Sequence, residues 1–138
     1  MRTRFRSLEA VAVGETRVPK YPGSTFQARL DFEYIGGGTF DIGVGFAPAA
    51  LVGYQNVTHW FWVTETLQIV STWIRRTVTL TSTIPNDMAL GLKDVLKWIQ
   101  TVGGPRDVGG NGFEKSDWDS DTYEILPAAF RGLLGSYS

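Results

Sequence analysis

A two-residue alternation runs through residues 21–48, YPGSTFQARLDFEYIGGGTFDIGVGFAP, and no other stretch limits the fold so tightly. Phe26, Ala28, Leu30, Phe32 and Tyr34 alternate with Gln27, Arg29, Asp31 and Glu33. Beyond Gly36, Gly37 and Gly38 the alternation resumes as Phe40, Ile42, Val44 and Phe46. Successive side chains of a strand point to opposite faces, so each run presents one apolar face and one wet face. Glycine adopts the positive φ angles that a hairpin connection needs. The stretch therefore predicts two strands joined by a glycine-rich turn, with an apolar face that the rest of the chain must cover.

The chain of 138 residues suits a single domain with one core. With 43% hydrophobic and 20% charged residues, disorder over most of the length is excluded. A balance of 13 basic and 14 acidic residues disfavours nucleic acid as the partner, because phosphate binding needs a concentrated basic field. Cysteine is absent, which removes disulfides, thiolate catalysis and cysteine-bound metals together. No apolar run reaches the ~18 residues of a membrane span, so no membrane partner is expected. No apolar stretch follows the first arginines, so a chain starting at Met1 is expected to stay in the cytosol or leave without a signal peptide.

Residues 3–13 carry Phe5, Leu8, Val11 and Val13, a first strand with an irregularity near Ser7. Pro19 and Pro22 suit a crossing between sheets, and residues 47–55 read as a loop. His59, Phe61 and Val63 alternate with Trp60, Trp62 and Thr64, a strand with bulky groups on both faces. Residues 67–73 continue apolar, as a short strand or a packed loop. Thr77, Thr79, Thr81 and Thr83 then form a threonine ladder on the wet face of a strand ended by Pro85. Residues 86–101 fit two patterns. Leu92, Val95, Leu96 and Ile99 match a helical stripe. As a strand, Lys93, Val95, Lys97 and Ile99 share one face, with Leu92, Leu96 and Trp98 on the other; the all-β context selects strand. Residues 102–115 read as a long glycine-rich loop, 117–121 as an acidic loop, and 122–126 as the closing strand.

The order of these pieces resembles the immunoglobulin-like β-sandwich modules called CARDB (cell-adhesion-related domains of bacteria) and related phage and archaeal modules. The turn Pro22, Gly23, Ser24, Thr25 leads into the long alternating strand, and the hairpin's second strand ends near Pro48. Then follow the T-x-T-x-T-x-x-I-P strand from Thr77 to Pro85, the G-x-x-D-V strand from Gly91 to Val95, and a closing strand at Asp121 to Ile125. The resemblance covers roughly residues 10–126 and implies an all-β, immunoglobulin-like antiparallel sandwich of about seven strands in a single domain. Residues 1–9 become an N-terminal arm and 127–138 a C-terminal tail. Its motifs are turn and strand chemistry, specific for fold and nearly silent on function.

Asp117, Asp119 and Asp121 have the D-x-D-x-D spacing that opens some calcium loops. Thr122 stands where the glycine belongs and Ala128 where the glutamate belongs, so a solvated loop is the reading preferred over calcium. No other cofactor is expected. Trp60, Trp62 and Trp73, with His59, offer an aromatic platform for a sugar face or a protein interface. Trp60 and Trp62 lie opposite Phe61, so both sets cannot enter one core. The tail, the glycine loop or another chain must cover the outer pair. His59 is the only histidine, with no nucleophile or carboxylate near it in sequence to make a triad. Asn56-Val57-Thr58 is a glycosylation sequon without a supporting secretory context. The glycines of 103–112 lack the G-K-[ST] of a phosphate loop, and Gly36 to Gly38 precede no helix.

These features point away from an enzyme and towards a structural or interaction protein. The expected partner is a copy of itself or a capsid, tail or surface scaffold, engaged through Trp60, Trp62, Trp73, the basic Arg2, Arg4 and Arg6, and the apolar Phe130, Leu133 and Leu134. That composition suits a virion component such as a capsid decoration or tail protein. The alternative is a glycan-binding or adhesion module at the cell surface or outside the cell, using the aromatics of 59–73.

Overall fold

The computed structural model describes residues 1–5, 9–10, 18–51, 53–104 and 113–127. The described chain is all-β. Its seven strands are β1 (Arg2–Phe5), β2 (Glu9–Ala10), β3 (Val18–Lys20), β4 (Thr25–Pro48), β5 (His59–Thr83), β6 (Gly91–Thr101) and β7 (Phe113–Ile125). They form one sheet in the order β1-β4-β6-β7-β3, with β2 and β5 also pairing with β4. Every pairing is antiparallel except β3 with β7.

The glycine run is not a hairpin turn. Residues 25–48 form one continuous strand, and Gly36, Gly37 and Gly38, at φ of 97°, 155° and 129°, bend it without reversing its direction of pairing. β5 follows β4 along both arms of the bend, so the two strands expected around 59–63 and 77–84 are one, with residues 67–73 at its centre. Tyr34 pairs with Ile74 and Gly38 with Leu67, so seven steps of β5 span the bend against four of β4. The odd surplus is taken up as bulges, which bend and twist a strand. It also switches the side of β5 that faces inward. Phe61, Val63 and Leu67 point in on one arm, Ile74, Val78 and Leu80 on the other.

The bend folds the sheet over on itself. Twenty extended residues span about 66 Å, yet the rings of Phe26 and Phe46, at opposite ends of β4, have centroids 5.2 Å apart. Phe61 meets both edge-on, and Tyr123 of β7 stacks on Phe46 at 5.1 Å and 15°. The core is thus the space between the arms, filled by the even-numbered residues of β4 and their neighbours.

The first strand expected over 3–13 is realised as β1 and β2 against the N-terminal arm of β4. β6 is a strand, as its context required. Its residues 93–100 are all buried, so it is covered on both faces. The acidic stretch is not a loop: Asp117 and Asp119 lie within β7, which begins at Phe113 rather than near 122.

Candidate interaction surface

The outer face of the second arm is built from two rows across four strands. Trp62 lies beside Gly43, Gly43 beside Trp98, and Trp98 beside Ser116. The second row runs Trp60, Gly45, Leu96, Trp118. Glycine in β4 is what lets the indoles of β5 cross that strand. A Cβ at Gly45 would lie 3.1 Å from the Trp60 ring and 2.8 Å from Val57 Cγ1. At Gly43 it would meet the Phe61 carbonyl oxygen at 1.9 Å. Over this trough Trp60 packs edge-on to Trp98 at 5.8 Å and 78°, and Trp62 approaches it at 6.5 Å.

Trp98 is fully buried, whereas Trp62 keeps 44% of its surface exposed. Part of the cover comes from the segment between β4 and β5, which forms a single 3-10 turn at Tyr54–Asn56. Tyr54 lies 6.2 Å from Trp118, and its hydroxyl hydrogen-bonds the Ser116 hydroxyl at 2.8 Å. Aromatic pairs of this kind add roughly 0.5–1.5 kcal/mol beyond their burial, so the exposed Trp62 stands on a stiff base. An open cleft of about 300 Å³ adjoins it, walled by residues 60–63 of one arm of β5 and 80–82 of the other.

Trp73 does not join this cluster. It lies beyond the bend, beside β1, where the Arg4 and Arg2 guanidinium carbons sit 3.7 Å and 5.4 Å from its ring centroid. Arg4 also pairs with Glu33 at 3.1 Å, and Arg75 grips Asp31 through two nitrogens. Arg2 and Arg4 are therefore held in β1 and on an aromatic face rather than in a loose arm. Arg6, Phe130, Leu133 and Leu134 lie outside the described residues.

His59 is clamped at both nitrogens. Nδ1 is 2.8 Å from the Thr58 hydroxyl and Nε2 3.0 Å from Asp87 Oδ1, a carboxylate brought from the turn after β5. The Thr58 hydroxyl and amide both donate to the Phe46 carbonyl, at 3.3 Å and 2.9 Å, which ties the group to the end of β4. The arrangement fastens the 84–90 segment to the start of β5.

The acidic string has a partner in the fold. Asp117 and Asp119 share a face of β7, and both reach Lys97 of β6, at 3.5 Å and 3.3 Å from Nζ. Lys97 is almost wholly buried, so these carboxylates neutralise an internal cation. The Asp121 side chain lies outside the described residues. Among the described residues no group of three or more histidine or acidic side chains converges to hold a metal ion. Nor is any helix among them long and apolar enough to cross a membrane.

Sequence alternation placed Trp60 and Trp62 outside the core. It did not reveal the ring they pack on, because Trp98 comes from a remote segment. The one available signal was Trp98 on the face of β6 opposite Val95 and Ile99. No protein-family model matches the chain, and no curated protein matches its sequence.

Proposed function

We propose that this chain is a non-enzymatic structural or interaction protein, a small all-β module that docks on copies of itself or on a protein scaffold. Immunoglobulin-like, CARDB-like kinship and a place in a virion, as a capsid decoration or tail component, belong to the same proposal. The observation that carries it is Trp62, 44% exposed and set against the buried Trp98 within the sheet. Exposed aromatics preorganised in this way lose little entropy on docking and recur as the anchors of protein interfaces. Light scattering over a concentration series tests it, with Trp62→Ser as the comparison. Association that weakens in the variant supports the reading. A monomer at every concentration that also binds no capsid or tail protein would sink it.

A second reading is favoured by one feature, the cleft of about 300 Å³ whose lining includes Trp60, Trp62, Thr81 and Ser82. Indole faces suit the apolar C–H face of a sugar ring, and hydroxyls suit its rim. Tryptophan fluorescence titrated with a broad panel of soluble glycans separates the two: a saturable change lost in Trp62→Ser belongs to glycan binding.

A further inference from the structure

The two edges of β5 are not equivalent. One pairs with β4 along both arms, and among the described residues no strand pairs with the other. At the end of the strand, the Ile84 amide donates to the Ser24 carbonyl and the Ile84 carbonyl accepts from Gly23, so both groups point towards β4. Backbone groups alternate in direction along an antiparallel strand. The N–H and C=O of Thr83, Thr81, Thr79 and Thr77 therefore point to the free edge.

Natural sheets guard such edges with lysine, proline, charge or bulges. Here the guards stand only at the two ends. Arg75 and Arg76 precede the stretch, each engaged with a carboxylate of its own chain, and Pro85 follows it. Residues 77–83, TVTLTST, are uncharged and regular in register with β4, and the four threonines are exposed.

We propose that two copies of this chain pair antiparallel through the residue 77–83 edge of β5, about a two-fold axis at Leu80. The proposal rests on the interaction-protein reading above and names its partner as a second copy. In that register the stretch overlaps its copy over its full length, with Val78 facing Ser82 across the two strands. Thr77 then faces the second copy's Thr83, and Thr79 faces its Thr81. Both are pairs of outward-pointing residues, as a hydrogen-bonded antiparallel pair requires. Leu80 meets its own counterpart at the non-hydrogen-bonded position on the axis. Threonine–threonine pairs are among the favourable cross-strand neighbours, and an isologous two-fold contact closes without growing into a fibre. The adjoining cleft, open beside residues 80–82, leaves this edge approachable.

Thr79→Pro is the informative variant. It removes an N–H that points away from β4, so the intramolecular ladder keeps its bonds, and proline is tolerated at edge positions of this kind. By symmetry the dimer loses two hydrogen bonds, and the dissociation constant is expected to rise about ten- to a hundred-fold. Thr81→Lys, which keeps the amide and adds charge to the edge, serves if the proline variant does not fold. Light scattering gives the mass, and hydrogen exchange at Thr79 and Thr81 gives the site. Protection of those amides that grows with protein concentration and is lost in Thr81→Lys supports the edge dimer. Association abolished by Trp62→Ser but unchanged in both edge variants would overturn it and leave the interaction reading standing. Protection independent of concentration, lost only on removing residues 128–138, would overturn it in favour of the chain's own tail as occupant. A monomer at all concentrations overturns it outright.

Discussion

The Arg4 guanidinium carbon lies 3.7 Å from the centre of the Trp73 ring, so the first strand is held by an aromatic face as well as by its ladder with β4. Arg4→Ala is expected to cost about 1 kcal/mol, the middle of the range for a cation over an indole. The exposed ion pair with Glu33 adds little to that. Arg4→Lys keeps the charge but loses the broad guanidinium over the ring, so it recovers only part of the loss. Thermal melts of the three proteins check this, with the alanine variant about 4 °C below the parent.

Gly43 is where the fold leaves no room. Gly43→Ala drives a methyl into the Phe61 carbonyl oxygen, 1.9 Å away, and is expected to destabilise by roughly 3 kcal/mol through forced separation of β4 and β5. Gly23→Ala is the contrast. It has open space but φ of +83°, and loses only about 1 kcal/mol to backbone strain. Urea unfolding curves distinguish the two costs, and near equality would remove the close-approach account.

Lys97 and its two carboxylates form a unit. Lys97→Met leaves Asp119 without its cation inside the arm, at an expected cost of roughly 2–3 kcal/mol. The figure sits below that for a fully buried pair because the Asp117 side chain stays 56% exposed. Lys97→Met combined with Asp119→Leu is expected to recover much of the loss, a coupling that a double-mutant cycle measures directly. Strict additivity would contradict it.

Alkaline unfolding reports on Tyr123. Its hydroxyl is buried and lies 3.3 Å from the Gln27 carbonyl, and burial pushes its pKa well above the usual value of 10. In the unfolded chain the phenol loses its proton near pH 10, while the folded chain keeps it. Above pH 10 the native state therefore binds more protons than the unfolded state. Stability that is fully present below pH 10 falls as pH rises towards the folded-state value, by up to about 1.4 kcal/mol per pH unit. Tyr123→Phe is expected to flatten that fall in denaturant midpoints measured from pH 9 to 11. An unchanged slope would assign the loss to another group.

The alternation of β4 was legible because strand periodicity is local: each even residue from Phe26 to Phe46 announces its own face. The three glycines were legible as a special backbone site but not as a bend, since positive φ serves a turn and a kink alike. What decides between them is the partner strand. β5 has three surplus residues opposite the glycines, and a surplus becomes visible only once the register is known. The same holds for the surface. Parity along 59–63 placed Trp60 and Trp62 outside, but Trp98, which supports them, is far away in sequence. Asp117 and Asp119 read as loop residues because their composition is polar. In the fold their two-residue spacing puts both on one face, against a lysine that no local pattern links to them.

The bend in β4 also orders events in time. Phe46 and His59 are the innermost pair of the long ladder and are joined by a short connection, so that end closes with little loss of chain entropy. Pairing then zips outward to Thr25 and Thr83, and only a chain already folded at Gly36 to Gly38 brings Phe26 onto Phe46. β3 reaches β7 from Val18 to Tyr123, the widest sequence separation of any strand pair described, and is expected to join last. A mutation in the glycine bend thus slows refolding, whereas one in the β3–β7 pair chiefly hastens unfolding.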